Sequence, residues 1–171
     1  MAADSRTEPK EGESLGPYLL RKRLSSSILG TFFLASQGSA KETALVHVLP
    51  QSLLQHDAKF KERYTGLVSR QKQWLPGAAL PAQEVSQIGD RLVVRYPRGY
   101  YTSLNASLQD GAQPLPPGKV RDHLEAIANG LMEAAKTHQG HFFMSPDFLF
   151  LDDKEELRIA GIGVFQSLQY E

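Results

Sequence analysis

Cysteine is absent from this 171-residue chain, which excludes disulfides, thiol nucleophiles and zinc–thiolate sites and is compatible with the cytosol or any other compartment. Net charge is lacking too. The 19 Lys and Arg balance 19 Asp and Glu, so no global field draws the chain to nucleic acid or to an anionic membrane. No apolar run approaches the roughly 18 residues of a spanning helix, and the polar N-terminus has no signal-peptide pattern. There is no internal repeat. These absences lead us to expect a soluble, cytoplasmic protein that neither binds nucleic acid nor inserts into a membrane. At 41% hydrophobic and 22% charged residues, the chain has material for one packed domain or one two-lobed unit.

Met1–Ser14, MAADSRTEPKEGES, is small, charged and aperiodic, the pattern of a disordered leader. From Gly16, two apolar runs flank Ser25-Ser26-Ser27-Ile28-Leu29-Gly30 and predict strand, tight turn, strand. In Thr43–Leu49, strict alternation puts Leu45, His47 and Leu49 on one face and Ala44, Val46 and Val48 on the other. His56–Gln73 carries Phe60, Tyr64, Leu67 and Val68 at helical spacing. Gln83–Ile88 and Arg91–Tyr96 are strands joined at Gly89-Asp90, and Pro97-Arg98-Gly99 breaks the second. Tyr101–Leu108 reads as a short helix, and Gly111–Gly118 (GAQPLPPG) as an irregular proline-rich connector. The longest helix spans Val120–His138, with Leu124, Ile127, Ala128, Leu131, Met132 and Ala135 as one apolar stripe.

The last stretch, SPDFLFLDDKEELRIAG, sets two apolar runs, Phe148–Leu151 and Leu157–Ala160, on either side of the charged turn Asp152–Glu156, a β-hairpin pattern. It follows the long helix and ends in Gly161-Ile162-Gly163. This order resembles the segment of protein kinases from the catalytic loop to the DFG motif, and the preceding strands and helix resemble a kinase N-lobe. The resemblance implies an α+β fold. A disordered tail would occupy residues 1–15. An N-lobe with a five-stranded antiparallel sheet and one helix would occupy 16–97, and a partial C-lobe of long helix and hairpin 98–171, stopping soon after the DFG position.

The resemblance also assigns sites. The phosphate-covering loop aligns with Ser25, Ser27 and Gly30, keeping only the third glycine; serine donors can touch phosphate, while the plain reading is an ordinary strand turn. The strand lysine that grips the α- and β-phosphates aligns with His47, and its helix glutamate with Leu67. The catalytic aspartate aligns with Phe143, the metal-binding asparagine with Phe148, and the DFG aspartate with Gly161. Phe32 and Leu45 bring bulk to the adenine pocket, Phe150 sits at its floor, and the hinge donor aligns with Pro97, which has no N–H. Together these imply a pseudokinase, not an enzyme, holding no ATP, metal or other cofactor. The same aromatics also read simply as core, and Asp147, Asp152 and Asp153 as turn residues or metal ligands.

Two functions compete at this stage. One is a non-catalytic adaptor or allosteric module that meets a protein partner or a second copy of itself. The resemblance implies that further C-lobe helices would cover the long helix, so their lack leaves Leu124, Ile127, Leu131 and Met132 as candidate contacts. The alternative is a nucleotide-binding or atypical kinase-fold enzyme with its chemistry relocated to Ser25–Ser27, Lys41, His47 or the Asp152-Asp153 pair.

Overall fold

The computed structural model describes residues 8–38, 41–74, 77–109, 115–141 and 144–168. Its larger sheet is antiparallel and six-stranded. It contains β1 (Ser14–Leu15), β2 (Tyr18–Ser27), β3 (Gly30–Gln37), β4 (Thr43–Val48), β5 (Glu84–Ile88) and β6 (Arg91–Arg98), in the order β1-β2-β3-β4-β6-β5. β3 is central and buried from Gly30 to Ser36, as its nearly unbroken apolar run requires. β2 carries two register shifts against β3, between Leu20 and Lys22 and between Arg23 and Ser25; such bulges bend a strand and raise its twist. The alternation in β4 is realised. Leu45 joins one core with Phe32 and Leu92, while Val46 and Val48 join a second on the opposite face with Tyr18, Leu20, Phe33 and Val93.

Three expectations for this half need correction. The sheet has a sixth strand, β1, because the leader is not wholly free: Gly12 N–H donates to Leu20 O at 2.7 Å, the Glu11 carboxylate accepts from Arg23 N–H, and Pro9 is buried. Residues 1–7 lie outside the described residues. The helix expected over His56–Gln73 forms as α2 (Phe60–Gln71), but it is not the one helix of this half, since a short helix α1 (Gln51–His56) precedes it. Between them Asp57 leaves the helical region and its carboxylate accepts from Lys59 N–H, a local bond that competes with helix continuation. Pro97 does not end the strand either. It lies within β6, opposite the irregularity between the Ala44 and Val46 pairings, where a missing N–H costs no ladder bond.

The smaller sheet combines β7 (Thr102–Ser103), β8 (Leu149–Leu151) and β9 (Leu157–Ile159) in sequence order. The helix expected over Tyr101–Leu108 is therefore divided, with β7 pairing with β8 and α3 (Leu104–Gln109) following. The long helix α4 (Pro117–Lys136) begins inside the expected irregular connector, since proline at the first helical position has the required φ and no N–H to lose. α4 packs on β9 through small residues. A Cβ on Gly130 would stand 2.9 Å from Ile159 Cδ1 and 3.0 Å from Ala79 N, and Ala134 is fully buried. The segment at Ala78–Leu80 also bonds β9, with Ile159 N–H donating to Ala78 O and Leu80 N–H to Ile159 O. It thereby ties the two halves together.

Candidate functional site

The expected cleft residues meet between the two sheets. Phe32 on β3 and His47 on β4 are directly paired across the strands, so their side chains share a face, and the rings stack at 3.9 Å with 10° between planes. Phe148 meets Phe32 edge-on at 5.5 Å, Phe150 lies 5.0 Å from it, and Tyr96 stands 6.3 Å away on the third side. Phe32, Leu45, His47, Tyr96, Phe148 and Phe150 are each at most 1% exposed. The apolar members form one cluster with Leu24, Ala160 and Val164. Among the described residues these rings pack against one another as part of a single core.

His47 is part of this packing. Burial pushes its imidazole down to about 3, with the Leu29 backbone opposing and His141 adding to the effect, so the ring is neutral at pH 7. Its Nε2 lies over Gly30, where a Cβ would come within 2.9 Å of that nitrogen and 2.3 Å of Val48 O. Gly30 also has a φ of +115°. The one glycine kept in the loop is thus required by close packing as well as by backbone conformation.

The serines of the loop are engaged within the chain. Ser25 Oγ donates to the Asp147 carbonyl at 2.6 Å, Ser26 Oγ and Thr31 Oγ1 are bonded at 3.0 Å, and Ser27 Oγ accepts from Leu29 N–H. The first bond holds the β2–β3 hairpin down on the turn that precedes β8. In that turn Ser145 Oγ accepts from Asp147 N–H and donates to Asp147 Oδ2.

At the DFG-like position Gly161 has φ +78°, its N–H donates to Tyr96 Oη at 2.9 Å, and a Cβ there would lie 2.4 Å from Phe148 Cδ1. Burial pushes the Tyr96 phenol up to about 12, with Tyr64 and the Gly161 backbone opposing. Burial also raises Tyr64 well above its usual value. His141 Nε2 lies 3.0 Å from Ala160 O, and its ring meets Phe148 edge-on. Phe143 lies outside the described residues.

The helix position matched to the glutamate is Leu67, half-buried beside Gly163. The polar link from α2 is made one turn later by a residue the sequence reading did not single out. Gln71 is fully buried. Its Nε2 donates to Gln139 Oε1 and Ile162 O, and its Oε1 accepts from Ala82 N–H at 2.6 Å. Gln139 Nε2 continues to Leu67 O. These two neutral amides join α2, the loop after α4 and the Gly161–Gly163 turn. One signal existed: Gln71 extends the stripe Phe60, Tyr64, Val68 by three residues, so a polar side chain had to be buried and bonded.

The remaining candidates are dispersed. Pro97 O accepts from Tyr101 Oη at 3.2 Å. Lys41 lines a surface cavity with Arg98 and Tyr100. Asp152 belongs to its turn: burial raises its carboxyl, but two bonds from Arg158 and the N–H groups of Glu156 and Lys154 bring it below the usual range. Among the described residues no three His, Cys, Asp or Glu side chains gather to hold a metal. No described helix is long and apolar enough to cross a membrane. The contact set on α4 divides. Leu124 and Met132 are 61% and 65% exposed, whereas Ile127 and Leu131 are half-buried and Ile127 packs against the Trp74–Ile159 core. The stripe read from the sequence therefore spans two faces, because the buried one is set by Gly130 and Ala134.

No protein-family model matches the chain, and no curated protein matches it in sequence. Solved structures do match. A double mutant of the Mycobacterium tuberculosis PknI kinase domain superposes with a TM-score of 0.73 at 16% identity, over 91% of this chain and 64% of that one. A single mutant of the same domain gives 0.70 at 18%, over 92% and 64%. Another crystal structure of that kinase domain gives 0.65 at 18%, over 91% and 62%. The fold is protein kinase-like, an N-lobe with part of a C-lobe, and the chain spans under two thirds of the length of these kinase domains.

Proposed function

We propose that this kinase-like chain is catalytically inactive, leaves its interlobe space without nucleotide, and acts through contacts with protein as an adaptor or allosteric module. The observation that carries this reading is the Phe32–His47 stack enclosed by Tyr96, Phe148 and Phe150. A neutral imidazole packed on a phenyl ring supplies no cation for phosphate, and the surrounding rings supply no carboxylate or amide oxygen for magnesium, which phosphoryl transfer of this type needs. The engagement of Ser25, Ser27 and Asp152 within the chain supports the same reading against relocated chemistry. The outer face of α4, with Leu124 and Met132, is the candidate contact surface.

A thermal-shift titration with ATP, with and without magnesium or manganese, tests the proposal. A site with a Kd near 10 μM would add about 2.7 kcal/mol at millimolar nucleotide, so an unchanged melting curve is the expected result. A metal-dependent rise in melting temperature overturns it.

A further inference from the structure

Residues 8–13, EPKEGE, carry three carboxylates and lie along the outer edge of β2, where the sequence is Arg21-Lys22-Arg23. The contact has two parts. Gly12 N–H donates to Leu20 O at 2.7 Å and Leu20 N–H to Glu13 O at 2.9 Å, so backbone meets backbone as in an added strand. At Arg23 side chains take over. Glu11 Oε1 accepts from the Arg23 N–H at 2.7 Å, and Glu8 Oε2 pairs with the Arg23 guanidinium at 3.2 Å. Lys22 has no acidic partner among the described residues. The hold is slight, because the Glu8 and Arg23 side chains are 67% and 46% exposed, and pairs in such positions contribute little and weaken with salt. Of these six residues only Pro9 is buried. With Glu8 it forms part of the wall of a cavity of about 360 Å³, which Ile28, Val48 and Leu49 also line.

We propose that the β2 edge from Leu20 to Arg23 is a docking strip for an acidic, extended segment of a partner protein, and that the leader occupies the strip until that segment displaces it. The inference rests on the reading of the chain as an interaction module and gives it a surface away from α4. A strand edge binds any extended backbone through its N–H and C=O groups. Selection comes from the charges: Arg21, Lys22 and Arg23 favour carboxylates and repel a basic segment. The leader shows how carboxylates seat there, one on an edge N–H and one on a guanidinium, both charge-assisted bonds. Because the leader is joined to β2, its effective concentration at the strip is high. A displacing segment therefore needs a contact that the leader lacks. The cavity beside Pro9 supplies it, since an apolar side chain larger than proline at that place would enter it and cover Ile28, which is 75% exposed.

The probe is a fluorescent peptide of residues 8–15 carrying Pro9→Leu, titrated against the full chain. Glu8→Gln with Glu11→Gln in the chain loosens the leader and is expected to tighten probe binding about tenfold. The same peptide with glutamine at all three glutamate positions should bind this loosened chain about tenfold more weakly, and the peptide that keeps Pro9 about fivefold more weakly. Adding Arg23→Gln to the chain should remove the preference for the acidic peptide while keeping the folded circular-dichroism spectrum. Amide exchange locates the site. The N–H groups of Leu20 and Arg23 should exchange faster in the loosened chain and regain protection when the probe saturates it, with Phe33 protected throughout. No binding by the loosened chain, equal binding of acidic and neutral peptides, equal binding with and without the leucine, or binding that leaves Leu20 and Arg23 unprotected each overturns the proposal. None of these results depends on nucleotide, so this proposal and the inactive-module reading can fail separately.

Discussion

The Phe32 ring and the His47 imidazole lie face to face across two neighbouring strands, 3.9 Å apart and 10° from parallel, with both side chains at most 1% exposed. Burial holds the imidazole neutral, which gives the protein a defined response to acid. With the folded-state value lowered to about 3 and an ordinary value near 6.5 when unfolded, the unfolded chain binds the extra proton first as pH falls. The contribution is complete above pH 6.5 and is lost progressively down to pH 3, by about 1.4 kcal/mol per unit. Asp152 and Glu84, whose carboxyls are lowered, respond only below their ordinary range near pH 4. Urea unfolding between pH 7.5 and 5 should therefore show falling stability in the unaltered chain. In His47→Asn the curve should be less stable at neutral pH and nearly flat over the same interval.

Ser25 tethers the β2–β3 hairpin to Asp147, 122 residues away in sequence. Ser25→Ala leaves a part-buried carbonyl without that donor and should cost about 1 kcal/mol. The local effect is more diagnostic. Amide hydrogen exchange should accelerate at Ser26–Gly30 and at Asp147, while the strand core around Phe33 keeps its protection.

Gly161 allows no side chain. Its φ of +78° and the 2.4 Å approach of Phe148 Cδ1 to an ideal Cβ predict that Gly161→Ala destabilises by about 2 kcal/mol or more. Trimming the ring with Phe148→Leu in the same chain should recover part of that loss, giving a double-mutant cycle with a coupling of about 1 kcal/mol or more. Fully additive losses would mean that backbone conformation alone sets the cost.

Gln71 serves three partners from inside the core. Gln71→Ala leaves Ala82 N–H, Gln139 Oε1 and Ile162 O short of a partner and should cost roughly 2–4 kcal/mol, read from the shift in denaturation midpoint. Gln71→Glu should also destabilise, because a carboxylate cannot donate to the two oxygens that Nε2 now reaches.

Much of the fold was legible in the chain because its patterns are local. The alternation in β4, the hairpin at Gly89-Asp90 and the charged turn between β8 and β9 each specify an element without outside help. The ordered part of the leader, the short helix α1 and the place of Pro97 inside β6 were not, for a common reason. Each depends on which neighbour takes the backbone hydrogen bonds: Leu20 for Gly12, Leu53 for Asp57. Pattern alone does not show partners.

The same division runs through the candidate site. Which side chain stands at each kinase-like position is a property of the sequence: histidine at 47, leucine at 67, glycine at 161. So is the conclusion that Leu45, His47 and Leu49 share a face, since a strand repeats every two residues. Tertiary structure alone decided that His47 stacks on Phe32, that Tyr96 bonds the Gly161 N–H and that Gln71 joins α2 to the turn beyond it. It also decided that Leu124 and Met132 face outward while Ile127 packs inward. On a helix an apolar stripe has two flanks, and the one that is buried is chosen by where small residues, here Gly130 and Ala134, let the neighbouring strand come close.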